Sequence, residues 1–168
     1  MSHHSTGAAA DPDCSFCRIV RQEAASAIVF EDHCSLAFLD HRPLFPGHCL
    51  LIPKRHVPTL AELPAVLLHD FFRGMQLVSG AVEYALQAEG SFVAINNRVS
   101  QSVPHLHVHI VPRRRGDGLK GFFWPRRTYQ DLAEMRRTQE LIAAAIQELR
   151  GNSASAEHST TVSPPSHS

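Results

Sequence analysis

The sequence predicts an α+β domain, an antiparallel five-stranded meander sheet with a long covering helix and a C-terminal helix. Three observations carry this expectation. Residues His105 to Ile110 alternate imidazole and aliphatic side chains, the period of a strand with two unlike faces. From Pro64 to Gly90, Leu67, Phe71, Met75, Val78, Val82 and Leu86 recur at steps of three or four, the stripe of a helix packed on a sheet. Short apolar, β-rich runs bounded by Pro, Gly, Asn and Asp account for the other strands.

At 168 residues the chain suits one domain with a substantial core. Residues 1–12 and 151–168 are small, polar and unpatterned, so they read as disordered tails around a folded unit at 13–150. His3, His4, His158 and His167 lie in those tails and are set aside. Sixteen basic residues balance sixteen acidic ones, which argues against a general nucleic-acid or membrane binder. No apolar run approaches a membrane span, and residues 1–11 lack the apolar centre of a secretory signal, so a cytoplasmic protein is expected. The four cysteines then read as thiols or metal ligands and not as a disulfide framework.

Taken in order, Cys14-Ser15-Phe16-Cys17 precedes a short helix at Arg18 to Arg21. A C-x-x-C pair lets two thiolates reach one ion from a tight turn, and equally suits a redox pair or two small buried residues. Ala27 to Glu31 and Cys34 to Asp40 form a hairpin through Asp32-His33. Arg42 to Gly47 is a turn built on two prolines and a glycine, and His48 to Pro53 a third strand. Cys34 and Cys49 fall within apolar strand patterns and should pack in the core. The long helix begins at Pro64, which suits a first turn, and Gly90 is expected to stop it. Ser91 to Asn97 is a fourth strand, and Asn96 to Ser100 turns it into the histidine strand. Asp131 to Arg150 carries Leu132, Met135, Leu141, Ala145 and Leu149 on a last helix.

The chemistry concentrates on His105, His107 and His109. Same-face imidazoles admit metal chelation, nucleophilic catalysis and phosphate binding. Same-face neighbours on a strand are roughly 6.6 to 6.8 Å apart at Cα and the outer pair about 13 Å apart, so gathering all three on one ion is awkward and a division of labour more natural. Arg113 to Arg127 holds six basic residues and one acidic, a local excess suited to an anionic substrate or to a solvated loop.

These residues resemble the histidine triad superfamily of nucleotide hydrolases and transferases. The resemblance rests on His105-x-His107-x-His109, the Pro46-Gly47-His48 turn, the Gln101-Ser102-Val103 lead-in and the C-x-x-C start. It runs from about Cys14 to Tyr129, and the start is similar to the bacterial, zinc-bearing members. The resemblance implies that His107 is the nucleophile toward the α-phosphorus of a nucleotide substrate. It further implies that His109 contacts the non-bridging oxygens and that His48 completes the network behind them. By the same likeness Gln101 and Ser102 face the leaving-group side, Asn96 contacts phosphate, Asp40 accepts the ribose hydroxyls, and Phe16 and Phe38 wall the base pocket. It also implies a structural zinc on Cys14, Cys17, His56 and His105, and a homodimer. Here Arg98-Val99-Ser100 replaces the glycine-rich segment that many relatives carry before the glutamine. Two other readings stay open: a nucleotide-binding interaction module with vestigial activity, and an open catalytic zinc held by the triad.

Overall fold

A computed structural model describes residues 11–119, 129–142 and 144–145. The chain divides into two compact units, 1–119 and 120–168.

In the first unit a short helix, α1 (Ser15–Val20), leads into a sheet of five strands. These are β1 (Ile28–Glu31), β2 (Ser35–Leu39), β3 (Cys49–Pro53), β4 (Gly90–Ile95) and β5 (Val108–Arg113), with the long helix α2 (Ala65–Leu86) between β3 and β4. All pairings are antiparallel, as expected, in the order β1-β2-β3-β5-β4. The first three strands meander, and then the order departs from a simple meander. β4 runs parallel to β3, a return that needs a crossover, and α2 supplies it. The gap between them is filled by β5, which turns back from β4. Neighbourhood in sequence therefore predicts the hairpins, while the place of β5 depends on the helix connection.

The sheet separates two cores. Ala37, Cys49, Leu51, Val108 and Ile110 pack with Phe71, Val78 and Val82 of α2. On the opposite face Leu36, Phe38, Leu50 and Ile52 pack with Cys14, Phe16 and Cys17 from α1 and its lead-in. The apolar stripe on α2 is thus the one predicted as far as Val82. Leu86 is exposed instead, over the Pro46-Gly47 turn. A Cβ on Gly47 would overlap the Leu86 side chain, and its φ of 95° also favours glycine.

Both helices stop without a glycine, although Gly90 was expected to end the long one. After α2, Gln87 takes φ 48°, its N–H donates to Tyr84 O and that of Ala88 to Glu83 O. After α1, Gln22 takes φ 60°, with Gln22 N–H donating to Ile19 O and Glu23 N–H to Arg18 O. These bond pairs are Schellman closures with glutamine in the left-handed position. Gly90, the expected stop, is already the first residue of β4. The first helix also starts earlier than expected, at Ser15, which carries Phe16 and Cys17 onto its buried side.

In the second unit residues 132–142 are helical, in line with the expected last helix. Asp131 Oδ1 accepts the N–H of Glu134 at 2.6 Å, and Glu134 reaches back to the N–H of Gln130, which closes the first turn. The expected tails at 1–12 and 151–168 fall outside the described residues except for Asp11 and Pro12. So do Lys120, Arg126 and Arg127 of the basic run, and residues 146–150. Among the described residues no helix is long and apolar enough to cross a membrane.

Candidate active site and metal cluster

The histidine row lies on the α1 side of the sheet. Leu106, Val108 and Ile110 are wholly buried in the α2 core, so the alternation of faces read from the sequence holds. The ladder itself, however, begins only at Val108. At 105–107 the backbone is bonded elsewhere: Leu106 N–H donates to Val57 O at 2.6 Å and His105 N–H to Val103 O at 2.8 Å. His109 is the triad member on a regular strand, directly across from Leu50. His105 and His107 precede the ladder, His105 in a bend, and both are buried.

Each triad ring is oriented by a different partner. His107 donates Nδ1–H to the backbone carbonyl of its neighbour His105 at 2.7 Å, which leaves the lone pair of the neutral ring on Nε2. Phe16 meets that ring edge-on, with centroids 5.3 Å apart. For His109 the direction of bonding follows from His48. The N–H of Leu44 points at His48 Nδ1, 3.2 Å away, so His48 carries its proton on Nε2 and donates it to His109 Nδ1 at 3.0 Å. His109 is then the Nε2–H tautomer. Burial pushes His109 down to about 4, and the neighbouring His107 and His48 add to the shift. His48 is also pushed below the ordinary imidazole value, chiefly by burial, against the opposing pull of Asp40. Near neutral pH both rings are uncharged, as this chain of donors requires.

His107 and His109 open onto a cleft of about 590 Å³, also lined by Phe16, Ile19, Phe38, Leu39, Asp40, Leu50, Ser102 and Val103. That volume lies within the usual range of small-molecule sites, roughly 300 to 1,000 Å³. Phe16 and Phe38 pack edge to face, centroids 5.4 Å apart. Asp40 Oδ1 accepts the N–H of Arg42 at 2.9 Å, which fixes the carboxylate in the cleft wall. The cleft therefore combines apolar walls, a carboxylate and two imidazoles, of which His109 is uncharged near neutral pH.

Two residues expected near phosphate face other work. Gln101 is absent from the described cleft lining; its amide bonds Arg98 N–H, Pro58 O and His105 O. Asn96 Nδ2 donates to Ser100 O at 3.3 Å, within the turn that precedes the triad. The described part of the basic run is likewise occupied. The Arg113 guanidinium grips Asp117 at 2.6 and 2.9 Å and that of Arg114 donates to Leu86 O, whereas Arg115 donates its backbone N–H to Glu89 and leaves its side chain exposed. Those arginines close the far end of β5 and the end of α2, away from the triad. Leu50 and Ile19, which the sequence reading left out of the cleft, share it with the triad. Leu50 was findable, since strand pairing puts it opposite His109.

Behind the triad the four expected ligands converge. Cys14, Cys17, His56 and His105 present donor atoms all within 4.8 Å of one another. Cys14 Sγ lies 3.4 Å and Cys17 Sγ 3.6 Å from His105 Nδ1, and Cys17 Sγ lies 3.3 Å from His56 Nδ1. Zinc bonds of about 2.3 Å to sulfur and 2.0 to 2.1 Å to nitrogen give tetrahedral edges of roughly 3.4 to 3.8 Å, so the set has the size of a zinc site. His105 donates Nε2–H to Pro53 O at 2.9 Å, which leaves Nδ1 free to ligate. Burial pushes the Cys17 thiol up to about 11. A divalent ion would offset that cost.

Comparison with known proteins identifies the family. The family model for the HIT domain matches residues 21–116. An adenylylsulfatase of Arabidopsis thaliana is 38% identical over 109 residues, 64% of this chain and 55% of that protein. An asymmetrical bis(5'-nucleosyl)-tetraphosphatase of Schizosaccharomyces pombe is 38% identical over 94 residues, 55% of this chain and 52% of the other. The chain thus spans about half the length of these two curated relatives. A crystal structure of a HIT family member from Bacillus subtilis superposes with a TM-score of 0.70 at 31% identity, covering 79% of this chain and 96% of that one.

Proposed function

Because the chain belongs to the histidine triad family, we propose that it is a nucleotide hydrolase or nucleotidyl transferase in which His107 attacks the α-phosphorus of its substrate. The observation that carries this reading is the bond from His107 Nδ1–H to His105 O, which leaves Nε2 as the ring nitrogen available to attack in the cleft. In the first step the Nε2 lone pair forms an N–P bond while the bond from phosphorus to the leaving group breaks and takes its electron pair with it. A basic leaving group also takes up a proton from solvent in the open cleft. In the second step water, or another acceptor, attacks phosphorus, the N–P bond breaks and returns its electron pair to Nε2, the acceptor's proton passes to solvent, and the mononucleotide or its ester departs.

The surrounding residues each have a place in that sequence. His109 Nε2–H donates to a non-bridging oxygen, where negative charge is stabilised without a change in protonation. His48 holds His109 in the required tautomer. Asp40 accepts the ribose hydroxyls, Phe16 and Phe38 flank the base, and Ser102 at the rim meets the leaving-group side. The curated relatives support this class of substrate, a nucleotide joined through phosphate to a second group: a phosphoramidate, a dinucleoside polyphosphate or an adenylylated compound. The pairing of Arg113 with Asp117 neutralises one of the six cations that would otherwise favour polyphosphates.

The same proposal places zinc on Cys14, Cys17, His56 and His105. Four protein ligands close the ion's coordination, so it serves structure and ties the α1 lead-in to the segment bearing the nucleophile. It also includes a homodimer, supported by the position of β4 at the sheet edge with Val93 exposed.

Replacing His107 by Ala tests the reading. Turnover of an adenosine phosphoramidate and a dinucleoside polyphosphate should fall to background while AMP still binds. Undiminished turnover in the variant excludes His107 as nucleophile, and a wild type that binds AMP but turns over no such substrate favours a binding module.

A further inference from the structure

Gln101 uses its whole amide inside the protein. The side chain has two N–H donors, and both face carbonyls: Pro58 O at 2.6 Å and His105 O at 3.4 Å. Its Oε1 accepts the N–H of Arg98 at 2.7 Å. Only this orientation of the amide satisfies all three partners. No donor is left for a leaving group.

The partners share one consequence. His105 O is also the acceptor of His107 Nδ1–H, so Gln101 holds the oxygen that sets the nucleophile's tautomer. Arg98 N–H belongs to a turn in which Arg98 and Ser100 take φ of 66° and 59°, a conformation that costs non-glycine residues free energy. Pro58 lies in the segment that leads from the end of β3 past His56, and Asn97 Oδ1 also binds this segment through Leu60 N–H at 2.9 Å. One side chain therefore ties a strained turn, the 53–60 segment and the His105 carbonyl together.

We infer that Gln101 is a positioning residue for the nucleophile, acting through the His105 carbonyl and the 98–100 turn and not by contact with the leaving group. The inference rests on the reading of His107 as nucleophile. It departs from the leaving-group role that the family likeness implies for this glutamine.

The test uses Gln101→Glu, nearly isosteric and able to accept from Arg98 but not to donate, and Gln101→Ala. Nucleotidylation of His107 is timed with two adenylyl donors, an alkylamine phosphoramidate and a p-nitrophenyl ester. In parallel, ¹⁵N NMR of the histidine rings reads the tautomer of His107 without any substrate. We expect both variants to lose the same factor on both donors, about 10- to 100-fold, the scale of a misplaced reacting group. His107 should shift from the single Nδ1–H tautomer to a mixture. A loss that grows with the basicity of the leaving group overturns the inference, as does a His107 spectrum unchanged in Gln101→Glu. If wild type labels with neither donor, the nucleophile reading fails by itself, and the NMR comparison still decides whether Gln101 governs the tautomer.

Discussion

His48 Nε2 stands 3.0 Å from His109 Nδ1, and the N–H of Leu44 on the far side of His48 fixes which ring donates. A loop amide thus determines, through two rings, that His109 presents a proton to the cleft. His48→Ala should lower kcat by about 10- to 100-fold while AMP affinity changes little. Steady-state kinetics and AMP titration check this; an unchanged kcat would mean that His109 finds its tautomer without His48.

Acid should weaken the fold through the same pair. His109 has a native value of about 4, against an ordinary value near 6.5 for an exposed imidazole, and His48 is lowered as well. Between those values the unfolded chain binds a proton that the native one refuses, so stability is full above about pH 6.5 and is lost as pH falls toward 4. Urea unfolding at pH 8 and pH 5 should show a lower midpoint at pH 5, and His109→Gln should narrow that gap. A gap equal in wild type and variant would remove His109 as its source.

Much of this was legible in the sequence, for reasons that differ from residue to residue. The two faces of the 105–110 stretch follow from side-chain alternation, which survives although only Val108 onward joins the ladder. The four-ligand cluster needed the family likeness, because Cys14 and His105 are 91 residues apart and no local pattern connects them. The place of β5 between β3 and β4 escaped because an α2 crossover and a hairpin compete to set strand order. The work of Gln101 and of Arg113 to Arg115 escaped for another reason. Charge and amide content name what a side chain can bind, while backbone carbonyls, left-handed turns and Asp117 decide what it does bind.

The metal reading predicts one zinc per chain in purified protein. Cys17→Ser should lose it and melt at lower temperature, with a loss of stability smaller than the roughly 10 to 16 kcal/mol of zinc-finger peptides because this domain has its own core. His107→Ala should keep its zinc. Full zinc in Cys17→Ser together with none in His107→Ala would replace the structural site by one centred on the triad.

On the proposed mechanism His107 becomes covalently nucleotidylated in each turnover. Wild-type protein mixed with an adenosine phosphoramidate, quenched within the first turnover without strong acid and digested, should yield one peptide heavier by an adenylyl group, with the addition on His107. The same treatment of His107→Ala should yield none. Rapid turnover with no labelled peptide at any quench time, or an adenylyl group found instead on His109, would contradict it.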